Sequence, residues 1–221
     1  MQTLSSDSEI ISTHLKRVPQ QGRSQLRFEN IVNVALRLFG EQGYEAVSMR
    51  EIGREAEIPI ASVYQYFPTK QAIVKEIWLR YSQTVRAELE GDLNLFIQNG
   101  CLQGGEVLID RMVYLITELQ LSSPAYVEVW GCIAATPELR TLNDQDTLNL
   151  AALLTEAIMM IRPTADREQM EGLTLMLTES ASAITKLTLS FPEEQRNRII
   201  RQLKTSMKIL YQATIKAYAK G

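Results

Sequence analysis

Metal and redox chemistry have almost nothing to work with in this chain. It holds two cysteines and one histidine in 221 residues. Cys101 and Cys132 are far apart in sequence, and His14 stands alone in a polar leader. The four N or S ligands of a structural zinc site therefore cannot be gathered, and no metal or cofactor is expected. The same scarcity removes Cys–His and Ser–His pairs from any folded core. Gly104-Gly105 lacks the strand and spacing of a phosphate-cradling loop, and Glu193-Glu194 opens a helix, where the helix dipole accounts for it. An enzyme is not expected.

Other absences narrow the class further. Net charge is only −3 and the pI about 5.4, and residues 1–70 balance eight Lys/Arg against eight Asp/Glu. Any affinity for nucleic acid must then come from where the cations sit. No apolar run reaches the roughly 18 residues of a membrane span; Leu148–Ile161 comes nearest and is interrupted by Asn149, Thr155 and Glu156. Met1–Glu9 has neither a basic start nor an apolar stretch, so no signal peptide is expected and a cytoplasmic location is. The 45% apolar content suits a soluble globular protein whose core needs no disulfide.

What is present is helical periodicity. Residues 1–22, rich in Ser, Gln and Thr, read as a flexible arm that continues the basic residues Lys16 and Arg17 into Arg23 and Arg27. Ser24 can cap a first helix whose face is Phe28, Ile31, Val32, Ala35, Leu38 and Phe39, ending at Gly43. Ser48-Met49-Arg50-Glu51 reads as a capping box opening a second helix. Glu57–Ile60 break the pattern, a short helix carrying Val63 and Phe67 follows, and Thr69 caps a fourth helix after Pro68. Beyond Gly91 the helical pattern continues, broken at residues 99–105, 122–124, 136–137 and 162–163, and it ends in two long segments, 166–189 and 193–220. No alternating strand pattern or internal repeat appears, so the chain is expected to be all-α.

Helix, turn and short helix form the unit whose second helix enters the major groove of DNA. The short helix spends its outward positions on Ala61, Ser62 and Gln65, which can approach base edges without clashing. Tyr64 and Tyr66 offer hydroxyls and flat faces, and Arg50 and Lys70 sit beside helix N-termini suited to phosphate. A structural three-helix bundle fits the same residues equally well, because aromatic clusters commonly serve packing.

Three stretches decide between them: Ala35-Leu36-Arg37-Leu38-Phe39, then residues 43–52 (Gly43-Tyr44 through Glu51-Ile52), then residues 62–70 (Ser62-Val63 through Thr69-Lys70). In that order and spacing they strongly resemble the N-terminal domain of the TetR family of regulators, over about Phe28 to Trp78. The resemblance implies an all-α fold of about nine helices, with a helix-turn-helix domain at residues 23–70. It also implies a helical ligand-sensing and dimerisation domain at 71–221 and a homodimeric repressor on a palindromic double-stranded operator. Ile60, Ala61, Ser62, Tyr64 and Gln65 would lie in or beside the groove, and Ser48, Arg50, Tyr66 and Lys70 would hold the phosphate backbone. Two positions depart from the family pattern. Glu57 stands where the turn usually has glycine, and Ala61 where the recognition helix commonly has glycine. If position 57 is left-handed, the glutamate costs about 1 kcal/mol relative to glycine.

Two copies set one DNA turn apart require a dimer contact. The stripes Met170, Leu173, Leu177, Ala181, Ile184 and Ile199, Leu203, Met207, Leu210, Thr214 are candidates, either for a four-helix bundle with a twin or for intramolecular core. Leu173, Leu177, Ala181, Ile184, Leu203, Met207 and Leu210 are taken as the interface. For a sensing pocket the adaptable and aromatic residues Tyr81, Met112, Tyr126, Trp130, Met159 and Met176 are the candidates, with Tyr114 and Met160 beside them, although core packing explains such stripes as readily. The absence of a charged cluster points to a small apolar effector. The fourth helix, belonging by sequence to both halves, is the expected lever. A helical protein- or RNA-binding module, or an activator not released by ligand, are the alternatives.

Overall fold

The computed structural model describes residues 22–98, 104–123 and 125–217. The arm at 1–21 with His14, Lys16 and Arg17, as well as Cys101 and Pro124, lies outside them. Among the described residues there are nine helices: α1 (Gly22–Gln42), α2 (Met49–Glu55), α3 (Ile60–Tyr66), α4 (Lys70–Gln98), α5 (Glu106–Leu121), α6 (Ala125–Ala135), α7 (Pro137–Ile161), α8 (Arg167–Thr188) and α9 (Glu193–Ala217). No helix among the described residues is long and apolar enough to cross a membrane.

The helix ends follow local chemistry. Gly43 stops α1 at φ +85°, with its N–H on the Phe39 carbonyl. Thr69 Oγ1 accepts from the Ala72 amide and Asp166 Oδ1 from the Gln169 amide, capping α4 and α8. At α2 only half of the expected capping box forms. Ser48 Oγ accepts from the Glu51 amide at 3.2 Å, while the Glu51 carboxylate accepts from Gln42 Nε2 instead. Ser24 is not the cap of α1 either, since the helix already includes Gly22, and its hydroxyl pairs with Tyr66.

The chain divides into two compact units. The first comprises residues up to 80 together with 123–139, so α6 belongs with α1–α3. Its core is Phe28, Ile31, Phe39, Val47, Ile52, Val63, Phe67 and Ile73, all 4% exposed or less. Phe28 stacks on Phe67 at 4.9 Å between ring centroids. The second unit comprises 81–122 and 140–217, where α8 and α9 pack on each other and both pack on α5.

The turn between α2 and α3 holds the one strained residue. Glu57 has φ +55°, the only positive φ at a non-glycine position among the described residues. The left-handed conformation that the sequence left conditional is therefore adopted. Ile58 N–H to Gly53 O and Asn30 Nδ2 to Ala56 O hold the turn from both sides. Glu57→Gly is expected to raise unfolding free energy by about 1 kcal/mol and the melting temperature by about 2–4 °C. Glu57→Ala keeps the strained Cβ and should gain much less, and a calorimetric scan of both variants separates backbone strain from charge. Equal gains would show that the carboxylate, not φ, carries the cost.

Candidate functional site

The recognition face is built from the inside outward. Val63 (0% exposed) and Tyr66 (7%) turn into the first unit, as does Phe67 just past the helix end. That leaves Ala61, Tyr64 and Gln65 exposed on the opposite face of α3, with Ile60 and Ser62 half-buried at its borders. Tyr64 is 44% exposed. Gly53 lets α2 approach this closely: a Cβ there would come within 3.1 Å of the Ile58 carbonyl and 3.3 Å of Val63 Cγ2. Five of the residues expected at the groove thus share one accessible face or its edge.

The four residues expected on phosphate divide. Ser48 and Arg50 are exposed at the start of α2. Tyr66 is not: it is buried, edge-on to Phe28, and its hydroxyl lies 2.8 Å from Ser24 Oγ. Lys70 turns inward upon the bend before α2. Its ammonium donates to the carbonyls of Tyr44, Val47 (2.8 Å) and Glu45 (3.4 Å) and lies 4.0 Å from the centre of the Tyr44 ring. An ammonium has three N–H donors, and all three are taken within the chain.

Several supporting groups had no signal in the sequence. Arg80 grips Glu29 through both guanidinium NH₂ groups and takes Glu76 through Nε at 2.9 Å, joining α4 to α1. Those hydrogen bonds hold the Glu29 carboxyl below its usual pKa, against desolvation. On α6, the Glu128 carboxylate accepts the Tyr44 amide at 2.9 Å, and a Cβ at Gly40 would meet the Ala125 amide nitrogen at 3.1 Å. Burial, with a hydrogen bond to Cys132, pushes the Tyr44 phenol pKa up. Residue 44 is so distant in sequence from 128 and 132 that no local pattern joins them.

The expected dimer stripe is corrected by burial. Leu173, Leu177, Ala181, Leu203 and Met207 are between 0% and 9% exposed within a single chain. They form the seam of α8 and α9 with α5 and cannot also present themselves to a twin. Ile184 and Leu210 are half-buried. The apolar residues that these helices leave in solvent are others, among them Met176 (56%), Leu187 (59%) and Ile209 (61%).

The expected pocket residues do not converge. Met112 lines a buried cavity of the second unit with Leu108, Ile109, Leu154, Ile158, Thr174, Leu177, Gly105 and Tyr211. Tyr81 is buried elsewhere in that unit, its hydroxyl accepting from Gln120 Nε2 at 3.1 Å. Met159 is half-buried; Met176, Tyr114 and Met160 are exposed. Tyr126 and Trp130 lie on α6, in the first unit. Of the six residues named, Met112 alone lines this cavity, whose wall is mostly Leu and Ile. Among the described residues no cluster of three or more His, Cys, Asp or Glu could hold a metal ion.

Comparison with known proteins fits this geometry. Residues 31–77 match the model of the bacterial regulatory proteins, tetR family, and residues 106–208 match that of the tetracyclin repressor-like C-terminal domain. The transcriptional repressor KstR of Mycolicibacterium smegmatis is 25% identical over 146 residues, covering 59% of this chain and 72% of its own length. The regulator HbdR of an Aromatoleum species is 35% identical over 69 residues, 29% of this chain but only 30% of HbdR. Among solved structures, Salmonella enterica GusR superposes with a TM-score of 0.65 at 14% identity, covering 87% of this chain and 98% of GusR. An Aquifex aeolicus regulator gives 0.64 at 15%, covering 83% and 99%; at such identities the likeness speaks for the fold alone. The chain belongs to the TetR family and is a helix-turn-helix, DNA-binding transcriptional regulator rather than an enzyme.

Proposed function

We propose that the protein is a homodimeric repressor that binds a palindromic operator through residues 23–70 and is released by a small apolar effector bound within residues 71–221. The observation that carries the DNA reading is the outward face of α3, where Ala61, Tyr64 and Gln65 are accessible and backed by a core without slack. Ser48 and Arg50, exposed at the start of α2, are the phosphate contacts of this reading. Lys70 and Tyr66 act by holding the two short helices in place.

A single unit of this kind reads too few base pairs for specificity, so a twin is needed. The face of α8 and α9 that supports pairing is the exposed one: Met176 and Leu187 on α8, with half-buried Ala183 between them, and Ile209 and Ala213 on α9. Small residues among larger apolar ones let helices approach closely, as a four-helix contact requires. Effector release follows from linkage, since a ligand that favours the DNA-incompetent state weakens operator binding by the same coupling energy. Helix α4 contributes residues 70–80 to the first unit and 81–98 to the second, which makes it the lever of this reading.

The test is an anisotropy titration against the duplex just upstream of the protein's own gene. Palindrome-dependent binding with a steep salt slope is expected. Tyr64→Ala and Gln65→Ala should each weaken it about tenfold, equivalent to ~1–2 kcal/mol, with unchanged thermal stability. A folded dimer that discriminates no selected duplex from random DNA, or indifference to both substitutions, would refute the assignment of α3.

A further inference from the structure

The outward face of α3 is uncharged: the helix runs Ile60–Tyr66 without an acid, a lysine or an arginine. Val63 and Tyr66 turn inward, which leaves Ala61, Tyr64 and Gln65 to face out. Base pairs differ at their major-groove edges in the pattern of donors, acceptors and methyl groups, so the chemistry of this face decides which of them it can match. Guanine shows two acceptors side by side, O6 and N7, and is matched by the paired donors of an arginine or lysine. Lys70, the first cation after α3 in sequence, already spends its three N–H donors on the carbonyls of Tyr44, Glu45 and Val47. Arg50 belongs to α2 and is the phosphate contact of the reading above. Cytosine offers a donor at N4, which a carboxylate matches; the acid next to α3 in sequence, Glu57, stands in the turn outside the helix.

Gln65 fits a different edge. Its amide holds one donor and one acceptor in a single plane, the complement of adenine, whose N7 accepts and whose N6 donates. The side chain is exposed, and no partner among the described residues occupies that amide. Ala61 lies one turn earlier on the same face and offers a bare methyl, which suits the C5-methyl that marks thymine. Four residues of helix rise about 6 Å and one base pair about 3.4 Å. With α3 lying in the groove, the two side chains therefore reach pairs about two steps apart. The Tyr64 phenol both donates and accepts, so it adds grip without choosing a base.

We infer that α3 reads two A·T pairs in each half-site, about two steps apart: an adenine held by Gln65 through N6 and N7, and a thymine whose methyl packs on Ala61. This base choice rests on the reading of α3 as the DNA-contacting helix. The experiment selects binding sequences for the full chain from a randomised duplex pool, then titrates the selected palindrome carrying one modified base in one half-site. Replacing the selected adenine with 7-deazaadenine, which lacks the N7 acceptor, should weaken binding about fivefold. Gln65→Ala should abolish that difference, and Gln65→Arg should move the selected base at that position from adenine to guanine. About two steps away, replacing thymine with uracil removes one methyl and should weaken binding about threefold, whereas Ala61→Gly should bind both duplexes alike. Melting temperatures establish that each variant is folded, and the Gln65 variants, at an exposed position, carry the test if Ala61→Gly loosens α3. Selected G·C pairs at both positions, or a 7-deazaadenine effect that survives Gln65→Ala, overturn the base choice; operator binding that Tyr64→Ala still weakens then upholds the α3 reading. Selection of no sequence by a folded dimer, or indifference to both Tyr64→Ala and Gln65→Ala, overturns the α3 reading and the base choice together.

Discussion

Replacing Phe67 with alanine will destabilise the protein by about 3–5 kcal/mol, the range for a fully buried aromatic, and will abolish operator binding although Phe67 never reaches solvent. The ring is 0% exposed and stacks on Phe28 with 25° between planes. Its amide closes α3 on the Val63 carbonyl, and Pro68 follows at once, so no helical turn beyond it can take over its packing. Native stability amounts to roughly 5–15 kcal/mol, and the loss removes a large share of it. Phe67→Leu keeps most of the volume and should cost under about 1.5–2 kcal/mol while retaining operator binding. Denaturant midpoints and operator titrations of the two variants check this. A loss below about 1 kcal/mol for Phe67→Ala would mean that α3 is held by something other than its contact with α1.

How much of this was legible in the sequence depends on the range of each interaction. Local chemistry could be read. The cap at Thr69 and the stop at Gly43 are each decided within four residues and were read, and the left-handed turn at Glu57 was read conditionally. The expected Ser24 cap and the Glu51 half of the capping box instead gave way to longer-range partners. The outward face of α3 followed from helical spacing once Val63 and Phe67 were taken as inward. Contacts across long separations could not be read: Ser24 with Tyr66, Glu128 with the Tyr44 amide, Arg80 with Glu29. Each rewrites the role of a polar residue that looked free. The dimer stripe failed for another reason. Periodicity shows that α8 and α9 carry apolar faces, but not which face meets α5 of the same chain, and the larger, more regular stripe of Leu173, Leu177 and Ala181 proved to be the interior one. Periodicity does not mark a cavity either, since a cavity is the space that helices leave, and Ile158 and Leu154 look like any other core residues.

Lys70 carries the remaining large effect, because it separates positioning from contact. If its ammonium bound phosphate, Lys70→Met would leave stability unchanged and lower the salt slope of operator binding by about one. The structure gives it other work: three carbonyls of the 44–47 bend, immediately before the Ser48 cap of α2, converge on one nitrogen. Removing it orphans the part-buried carbonyls of Tyr44 and Val47 that a charged donor satisfies, at about 2–3 kcal/mol in total once partial exposure is allowed for. Arginine is no substitute, because its planar fork cannot converge on three oxygens around one point. Lys70→Met should therefore lower the melting temperature and weaken operator binding while the salt slope holds, and Lys70→Arg should recover less than half of either loss. An unchanged melting temperature with a slope reduced by one would return Lys70 to the DNA backbone and leave the bend before α2 held by the Ser48 cap and Glu128 alone.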